Sequence, residues 1–199
     1  MAKKIDHDQR KREVAQKALR LFSKVGYDNV SLIMIAAAAG VPRTVLYRYF
    51  CSKREVMDAA ILEVTGAIES RCREVLLTKA SASEKLEKVC HAVVEEMFAN
   101  REFVIAVFDF VVGLVRTGVD LNASIHEYTK GTRNAIRMLV AHGKRQGVFP
   151  SVLIEERTTD AIYAEFESCA MRIVLNTERD TAQAKQRFSD VVRAITVWK

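Results

Sequence analysis

One short window of the sequence, RTVLYRYFCSK, concentrates cationic and aromatic side chains that could bind an anion. A helical period of about 3.6 residues puts four of its polar side chains on one face. They are Arg43, Thr44, Tyr47 and Arg48, named here the recognition face. Arginine pairs bidentately with guanine edges, and tyrosine hydroxyls commonly bond phosphate oxygens. The recognition face therefore predicts contact with a polyanion, and Lys53, at the start of the next helix, is predicted to clamp a phosphate.

The same rings also fit a packed core, and part of the window is predicted to belong to one. Leu46 and Phe50 fall opposite the recognition face, and Val41 precedes them in the same register. The ring of Tyr49 is predicted to be half buried. The window therefore has one inward face and one outward face.

The spacing before the window is typical of a helix-turn-helix. Ala36, Gly40 and Leu46 place a small residue, a turn glycine and an apolar residue at successive offsets of four and six. A small side chain lets the two helices approach, and glycine permits the positive φ of a tight turn. Ile35 is predicted to complete the inward face.

The positive charge of the chain is concentrated in its first quarter. The net charge is +6 over 199 residues, yet residues 1–54 hold 12 basic against 4 acidic side chains and the remainder holds 19 against 21. Such an asymmetry indicates a polyanion-binding segment attached to a body with another task. The tail residues Lys3 and Lys4, and the run RKR at 10–12, either bind phosphate or are simply solvated.

The rest of the chain is predicted to be helical as well. Proline occurs twice and glycine eight times, too few turn residues for a strand-rich fold. Capping boxes are predicted at Ser52–Glu55 and Ser81–Glu84, and Asp180 is a predicted helix cap. The sequence thus predicts an all-α chain with an N-terminal three-helix helix-turn-helix domain joined to a larger helical domain.

A longer pattern extends the helix-turn-helix. The chain reads F-x-x-x-G-Y-x-x-V-S-x-x-x-I-A-x-x-A-G-V and continues to L-Y-R-Y-F-x-S-K. Over roughly residues 10–56 this resembles the DNA-binding domain of the tetracycline-repressor-like (TetR) family. The matching residues are Phe22, Gly26, Tyr27, Ser31, Ile35, Ala36, Gly40, Val41, Leu46, Tyr47, Phe50 and Lys53. One departure is Pro42, which the sequence predicts in the first helical turn of VPRTVLYRYF, where a missing N–H costs nothing. The family more often has a polar residue there, so the resemblance implies no DNA contact at this position.

The resemblance implies a homodimeric, ligand-responsive regulator of transcription, most simply a repressor. Residues 1–54 would bind a palindromic double-stranded DNA operator, and residues 55–199 would bind a small-molecule effector and dimerise through the last two helices. The helix from Lys53 onward would transmit the ligand state. Carried over by position, the DNA contacts would be Ser31, Arg43, Thr44, Val45, Tyr47, Arg48, Tyr49 and Lys53.

Asp109 is the residue of the C-terminal part with the clearest chemical interest. It lies in the apolar run FVIAVFDFVVGLV, where an isolated carboxylate is costly unless it is paired, exposed or used. It could serve a ligand cavity, or it could form a salt bridge with Arg116 at the edge of the helix. The candidate ligand-binding residues are Phe108, Asp109, Val112, Arg116 and Phe166.

The sequence contains no catalytic arrangement, and we predict no enzyme activity, no cofactor and no metal site. The cysteines at 51, 72, 90 and 169 lack a CxxC pair and predict free thiols in a reducing cytosol. No signal peptide or membrane span is predicted, which favours a cytoplasmic protein. Three alternatives stay open: an activator, a DNA-binding protein whose C-terminal domain serves only dimerisation or protein contacts, and an enzyme or carrier built on the C-terminal helices.

Overall fold

The computed structural model describes residues 7–118 and 121–196, with side chains described outside 121–126. All regular secondary structure in these residues is α-helical, which confirms the predicted all-α class. The helices are α1 (His7–Val25), α2 (Leu32–Ala39), α3 (Arg43–Tyr49), α4 (Lys53–Leu76), α5 (Ala82–Ala99), α6 (Arg101–Arg116), α7 (Leu121–Arg145), α8 (Glu155–Val174) and α9 (Thr181–Ala194). None of the described helices is long and apolar enough to cross a membrane.

The described residues fall into two compact units. Unit 1 holds the residues up to Val64 together with those from Glu102 to Ser124. It therefore contains α1 to α3, the beginning of α4, α6 except for its first residue, and the first four residues of α7. Unit 2 holds Thr65–Arg101 and the residues from Ile125 onward. Helix α4 therefore contributes residues to both units.

The three N-terminal helices pack around a small apolar core in unit 1. Helix α2 contacts both α1 and α3. The side chains between them are nearly inaccessible: Ala18, Phe22, Ile35, Ala36, Leu46 and Phe50. Burying such side chains stabilises the fold by about 1.5–3 kcal/mol for each large one. This core fixes the orientation of α3.

The turn predicted at Gly40 is confirmed, whereas the capping box predicted at Ser52–Glu55 is only half formed. Gly26 and Gly40 both have positive φ, at 86° and 67°, and Gly40 caps α2 in the left-handed conformation. Ser31 is the N-cap of α2, and its side chain accepts a hydrogen bond from the Met34 N–H. Ser52 caps α4 through the Glu55 N–H, although the Glu55 carboxylate bonds the N–H of Cys51.

Pro42 lies one position earlier than the first helical turn in which the sequence predicts it. It is the N-cap of α3, with ψ at 147°, and the helix begins at Arg43. A proline has no side-chain acceptor, so this cap makes no side-chain hydrogen bond. Its fixed φ still suits the entry into a helix.

Unit 2 is organised by α5, which contacts α8 and α9. Leu86, Val89 and Phe188 are fully buried in it. The capping box of Ser81 and Glu84 is present at the start of α5, and Asp180 caps α9 through the Ala182 N–H. Both caps were predicted from the sequence.

The turn between α8 and α9 contains a buried carboxylate. Glu178 is 2% exposed, and Arg187 of α9 bonds both of its oxygens, with Nη1 2.6 Å from Oε1. The Arg187 Nε also donates to Glu165 of α8 at 2.9 Å. These carboxylates raise the pKa of Arg187, the hydrogen bond from Glu178 having the largest effect. Arg187 thereby ties the turn to both helices.

Candidate nucleic-acid interface

The recognition face is exposed along α3. Arg43, Thr44, Tyr47 and Arg48 are all exposed, and Tyr47 keeps 52% of its surface accessible. On the opposite side of the same helix, Leu46 is fully buried. The tyrosine and arginine side chains therefore lie outside the core, and their hydrogen-bonding groups are accessible. Such a surface can donate hydrogen bonds to phosphates and to base edges.

Two further candidate DNA contacts, Val45 and Tyr49, are half buried. The Tyr49 ring meets the His7 ring edge-on, with centroids 5.9 Å apart. The next residue, Phe50, lies under the Lys11 ammonium, which is 5.2 Å from the ring centroid. The first turns of α1 therefore pack over the C-terminal end of α3.

The basic residues of the N-terminus are only partly described. Lys3 and Lys4 lie outside the described residues. Arg10 pairs with Glu13 of its own helix at 3.1 Å, while Lys11 and Arg12 are exposed.

Ser31 has a structural role in this unit. Its hydroxyl oxygen accepts the Met34 N–H and so caps α2, and the residue remains exposed. A hydroxyl also has one hydrogen to donate. The same side chain can therefore cap the helix and donate a hydrogen bond to a phosphate oxygen.

The Lys53 ammonium, predicted as a phosphate clamp, contacts the turn between α1 and α2. Its Nζ donates to the carbonyl oxygens of Tyr27 at 2.7 Å and Asp28 at 3.2 Å. It also lies 4.4 Å from the centroid of the Tyr27 ring, a cation–π distance. An ammonium has three N–H donors, so two carbonyls leave one for an anion.

Tyr27 is the residue at the centre of these contacts, and motif reasoning alone gave it no role. Its ring lies 5.2 Å from Phe22 and 4.7 Å from Phe110, measured between centroids. Burial raises the pKa of its hydroxyl, and the nearby Arg54 charge partly opposes that effect. The available signal was its position directly after Gly26, in a turn that leads to α2.

Asp109, a candidate ligand residue, contacts this turn in unit 1. Its Oδ2 accepts the backbone N–H of Tyr27 at 2.6 Å. Within the described residues it forms no ion pair with Arg116, the other interpretation of its position. That arginine is exposed at the end of α6.

The remaining candidate ligand residues have different surroundings. Phe108 and Val112 of α6 are half buried in unit 1. Phe166 of α8 belongs to the core of unit 2, where its ring stacks on Phe188 at 4.5 Å and meets Tyr163 edge-on at 5.5 Å. Ligand binding by these residues stays a prediction.

Comparison with known proteins agrees with this geometry. Residues 15–60 match the family model described as bacterial regulatory proteins, tetR family. The match spans most of α1, all of α2 and α3, and the start of α4, which carry the recognition face and Lys53. This part of the chain is therefore similar to tetR-family bacterial regulatory proteins.

Two relatives and one solved structure extend the likeness to the C-terminal part of the chain. It is 22% identical to the fatty acid metabolism regulator protein of Bacillus subtilis over 84% of each chain. It is 26% identical to the nucleoid occlusion factor SlmA of Marinobacter nauticus, over 79% of this chain and 77% of that protein. The crystal structure of FadR from Bacillus subtilis with stearoyl-CoA aligns with a TM-score of 0.80 at 20% identity, covering 90% of this chain and 96% of that one. The structural match establishes the fold.

Proposed function

We propose that the protein is a homodimeric transcriptional repressor that binds a palindromic operator and releases it when a small-molecule effector binds. Residues 1–54 would act on DNA in the cytoplasm, and residues 55–199 would bind the effector and dimerise. The observation that carries this proposal is the recognition face: Arg43, Thr44, Tyr47 and Arg48 are exposed on a helix whose other side is fixed by buried Leu46.

The candidate contacts divide by chemistry into base-reading and phosphate-binding groups. Arg43 and Thr44 lie in the first turn of α3 and would read base edges, with Val45 against a thymine methyl. The phosphate-binding group would set the position of the protein on the duplex. It comprises Ser31, Tyr47, Arg48, Tyr49 and Lys53.

Dimerisation is supported by an apolar stripe on the outer side of α8. Ala161, Ala164, Met171 and Leu175 recur at helical spacing and are exposed, Leu175 by 62%. Isolated exposed apolar residues are ordinary, but several on one helical face, interrupted here by Ser168, favour a contact surface. Pairing α8 and α9 with those of a second copy would form a four-helix bundle. Two recognition helices could then enter major grooves about 34–36 Å apart.

An acyl-CoA is the first effector to test. A fold relative has been crystallised with stearoyl-CoA, and α6 of this chain carries half-buried apolar side chains such as Phe108 and Val112. A ligand releases DNA only if it binds one conformation of the dimer more tightly than the other. Stearoyl-CoA should therefore weaken DNA binding in proportion to its own occupancy.

A second candidate function is DNA binding without an effector, with a C-terminal domain that contacts another protein. The likeness to a nucleoid occlusion factor supports this second function, because the name of that protein refers to the nucleoid and to no metabolite. The two functions differ in one observable: only the first predicts that a small molecule releases the DNA.

Selection of bound duplexes from a random pool tests the proposal directly. The full chain should enrich one sequence with two-fold symmetry, and its half-sites should lie one helical turn or a multiple of it apart. Enrichment of a single asymmetric half-site would contradict dimeric operator binding. Absence of enrichment would contradict sequence recognition altogether.

Replacing Lys53 with methionine should reduce both affinity and its salt dependence. Each phosphate contact contributes roughly 0.9 to the slope of log affinity against log salt, so a dimer that loses one contact in each protomer should have a slope lower in magnitude by about 1.8. The measurement is a binding titration at several salt concentrations. The control is Lys79→Met, because Lys79 is exposed and lies outside residues 1–54, which are proposed to bind DNA. An unchanged slope with weaker binding would assign Lys53 to the turn alone.

A further inference from the structure

Asp109 contacts the turn between the helices α1 and α2 directly. We propose that Asp109 of α6 is a positioning residue for DNA binding, which acts by fixing the turn of residues 26–29 between α1 and α2. This inference rests on the proposed function, because it concerns how the recognition face is held. It assigns the carboxylate a role that needs no ligand.

The Tyr27 residue is held at both ends of its backbone. Its N–H donates to the Asp109 carboxylate at 2.6 Å, and its C=O accepts from the Lys53 ammonium at 2.7 Å. Hydrogen bonds to ionised groups are shorter and stronger than those between neutral groups. One bond comes from α6 and the other from the first residue of α4, so two helices from distant parts of the sequence hold one residue of the turn.

Residues of α6 that neighbour Asp109 also contact the turn of residues 26–29. Phe110 meets the Tyr27 ring edge-on, and the Arg54 guanidinium lies 4.8 Å from the centroid of the Phe110 ring. At Gly113, one helical turn further on, a Cβ would lie 3.5 Å from the Asp28 carboxylate, at ordinary van der Waals distance. Helix α6 therefore approaches the turn along one face over more than one helical turn.

The turn itself leads directly to the start of α2. The Val30 N–H donates to the Tyr27 carbonyl at 3.3 Å, and Val30 is 3% exposed. Ser31 follows as the N-cap of α2, and α2 is the helix against which α3 packs. A displaced Tyr27 would therefore shift the start of α2 and, through it, the recognition face.

The negative charge of Asp109, taken alone, would weaken DNA binding, whereas a positioning role would strengthen it. An aspartate in a DNA-binding unit repels the phosphate backbone, so its removal should tighten binding if only its charge matters. A positioning role predicts instead that removal weakens binding to the preferred sequence. The sign of the change therefore separates the two.

Two variants and a matched control test the proposal. Asp109→Ala removes the acceptor, whereas Asp109→Asn keeps an oxygen that can accept the Tyr27 N–H but loses the charge. Glu102→Gln is the control, because this carboxylate also lies on α6 and its only ion pair in the described residues, with Arg20, is 3.6 Å long and mostly exposed. The probes are the duplex selected by the wild-type chain and a scrambled duplex of the same composition.

We expect Asp109→Ala to weaken binding to the selected duplex by about tenfold or more, the scale of a lost hydrogen bond to a charged group. Asp109→Asn should weaken it less, and Glu102→Gln should leave it unchanged or slightly tighter. Affinity for the scrambled duplex should not fall in any variant. A purely structural defect that reduces the folded fraction would lower binding to both duplexes equally, and that result would overturn the proposal.

The inference would also be overturned if both Asp109 variants bound the selected duplex as tightly as the wild type or more tightly. In that case, sequence-specific binding by the wild type would still support the proposed function. A wild-type chain without any sequence preference would overturn both. Should Asp109→Ala fail to fold, Asp109→Asn decides: weaker binding to the selected duplex alone supports the positioning role, and any other result contradicts it.

Discussion

Replacing Arg187 with methionine is expected to lower the free energy of unfolding by about 3–5 kcal/mol, because a buried carboxylate then loses its cation. The Glu178 side chain is 2% exposed, and Arg187 bonds both of its oxygens. Glu165 would lose the same partner. Chemical denaturation at one fixed protein concentration measures the change, since dimerisation would otherwise shift the apparent stability.

Two further variants sharpen this prediction. Arg193→Met removes an exposed arginine of the same helix that pairs with Asp190, and it should change stability by less than about 0.5 kcal/mol. Replacing Glu178 and Arg187 together by methionine should recover much of the loss, because a buried apolar pair does not carry the desolvation cost of an unpaired charge. A loss below about 1 kcal/mol in Arg187→Met would show that the carboxylate finds water or another donor.

Replacing Arg43 with alanine is expected to weaken binding to the selected duplex by about 1–3 kcal/mol and to relax the base preference at one position of each half-site. Arg43 is the first residue of α3 and is exposed, so its guanidinium can reach a guanine edge without disturbing the core. The measurement is a titration against the selected duplex and against its single-base variants.

The conservative variant separates charge from geometry in this prediction. Arg43→Lys keeps the positive charge but loses the planar fork that pairs bidentately, so it should retain affinity for scrambled DNA and lose preference at the same base pair. Arg145→Ala removes an exposed arginine from unit 2 and should leave the base preference intact. If Arg43→Ala weakens binding equally on all sequences, Arg43 binds phosphate and does not read a base.

The local features of the DNA-binding unit could be predicted from the sequence because each depends on neighbours along the chain. Gly40 permits the left-handed turn, and Ser31 caps α2 by accepting the Met34 N–H. The buried Leu46 and the polar residues around it follow the period of a helix. Even Pro42 was misplaced by only one position, since a proline suits either the cap or the first turn.

The contacts between distant segments could not be predicted in this way. The bond from Tyr27 to Asp109 joins residues 82 apart, and no periodicity specifies that pairing. The sequence presented Asp109 as a ligand residue or as a partner of Arg116, because only its own helix was visible. The burial of Glu178 similarly depends on how α8, the turn and α9 pack together. Tertiary packing, rather than local propensity, decides such pairs.

If the exposed face of α3 binds DNA, that binding must depend steeply on the salt concentration. Affinity of the full chain for the selected duplex should fall by roughly 10³–10⁵ between about 50 and 200 mM salt if the dimer makes six to ten phosphate contacts. The preference over scrambled DNA should persist across that range. Binding that stays constant as salt increases, or that shows no preference at any salt concentration, would show that the recognition face does not bind an operator.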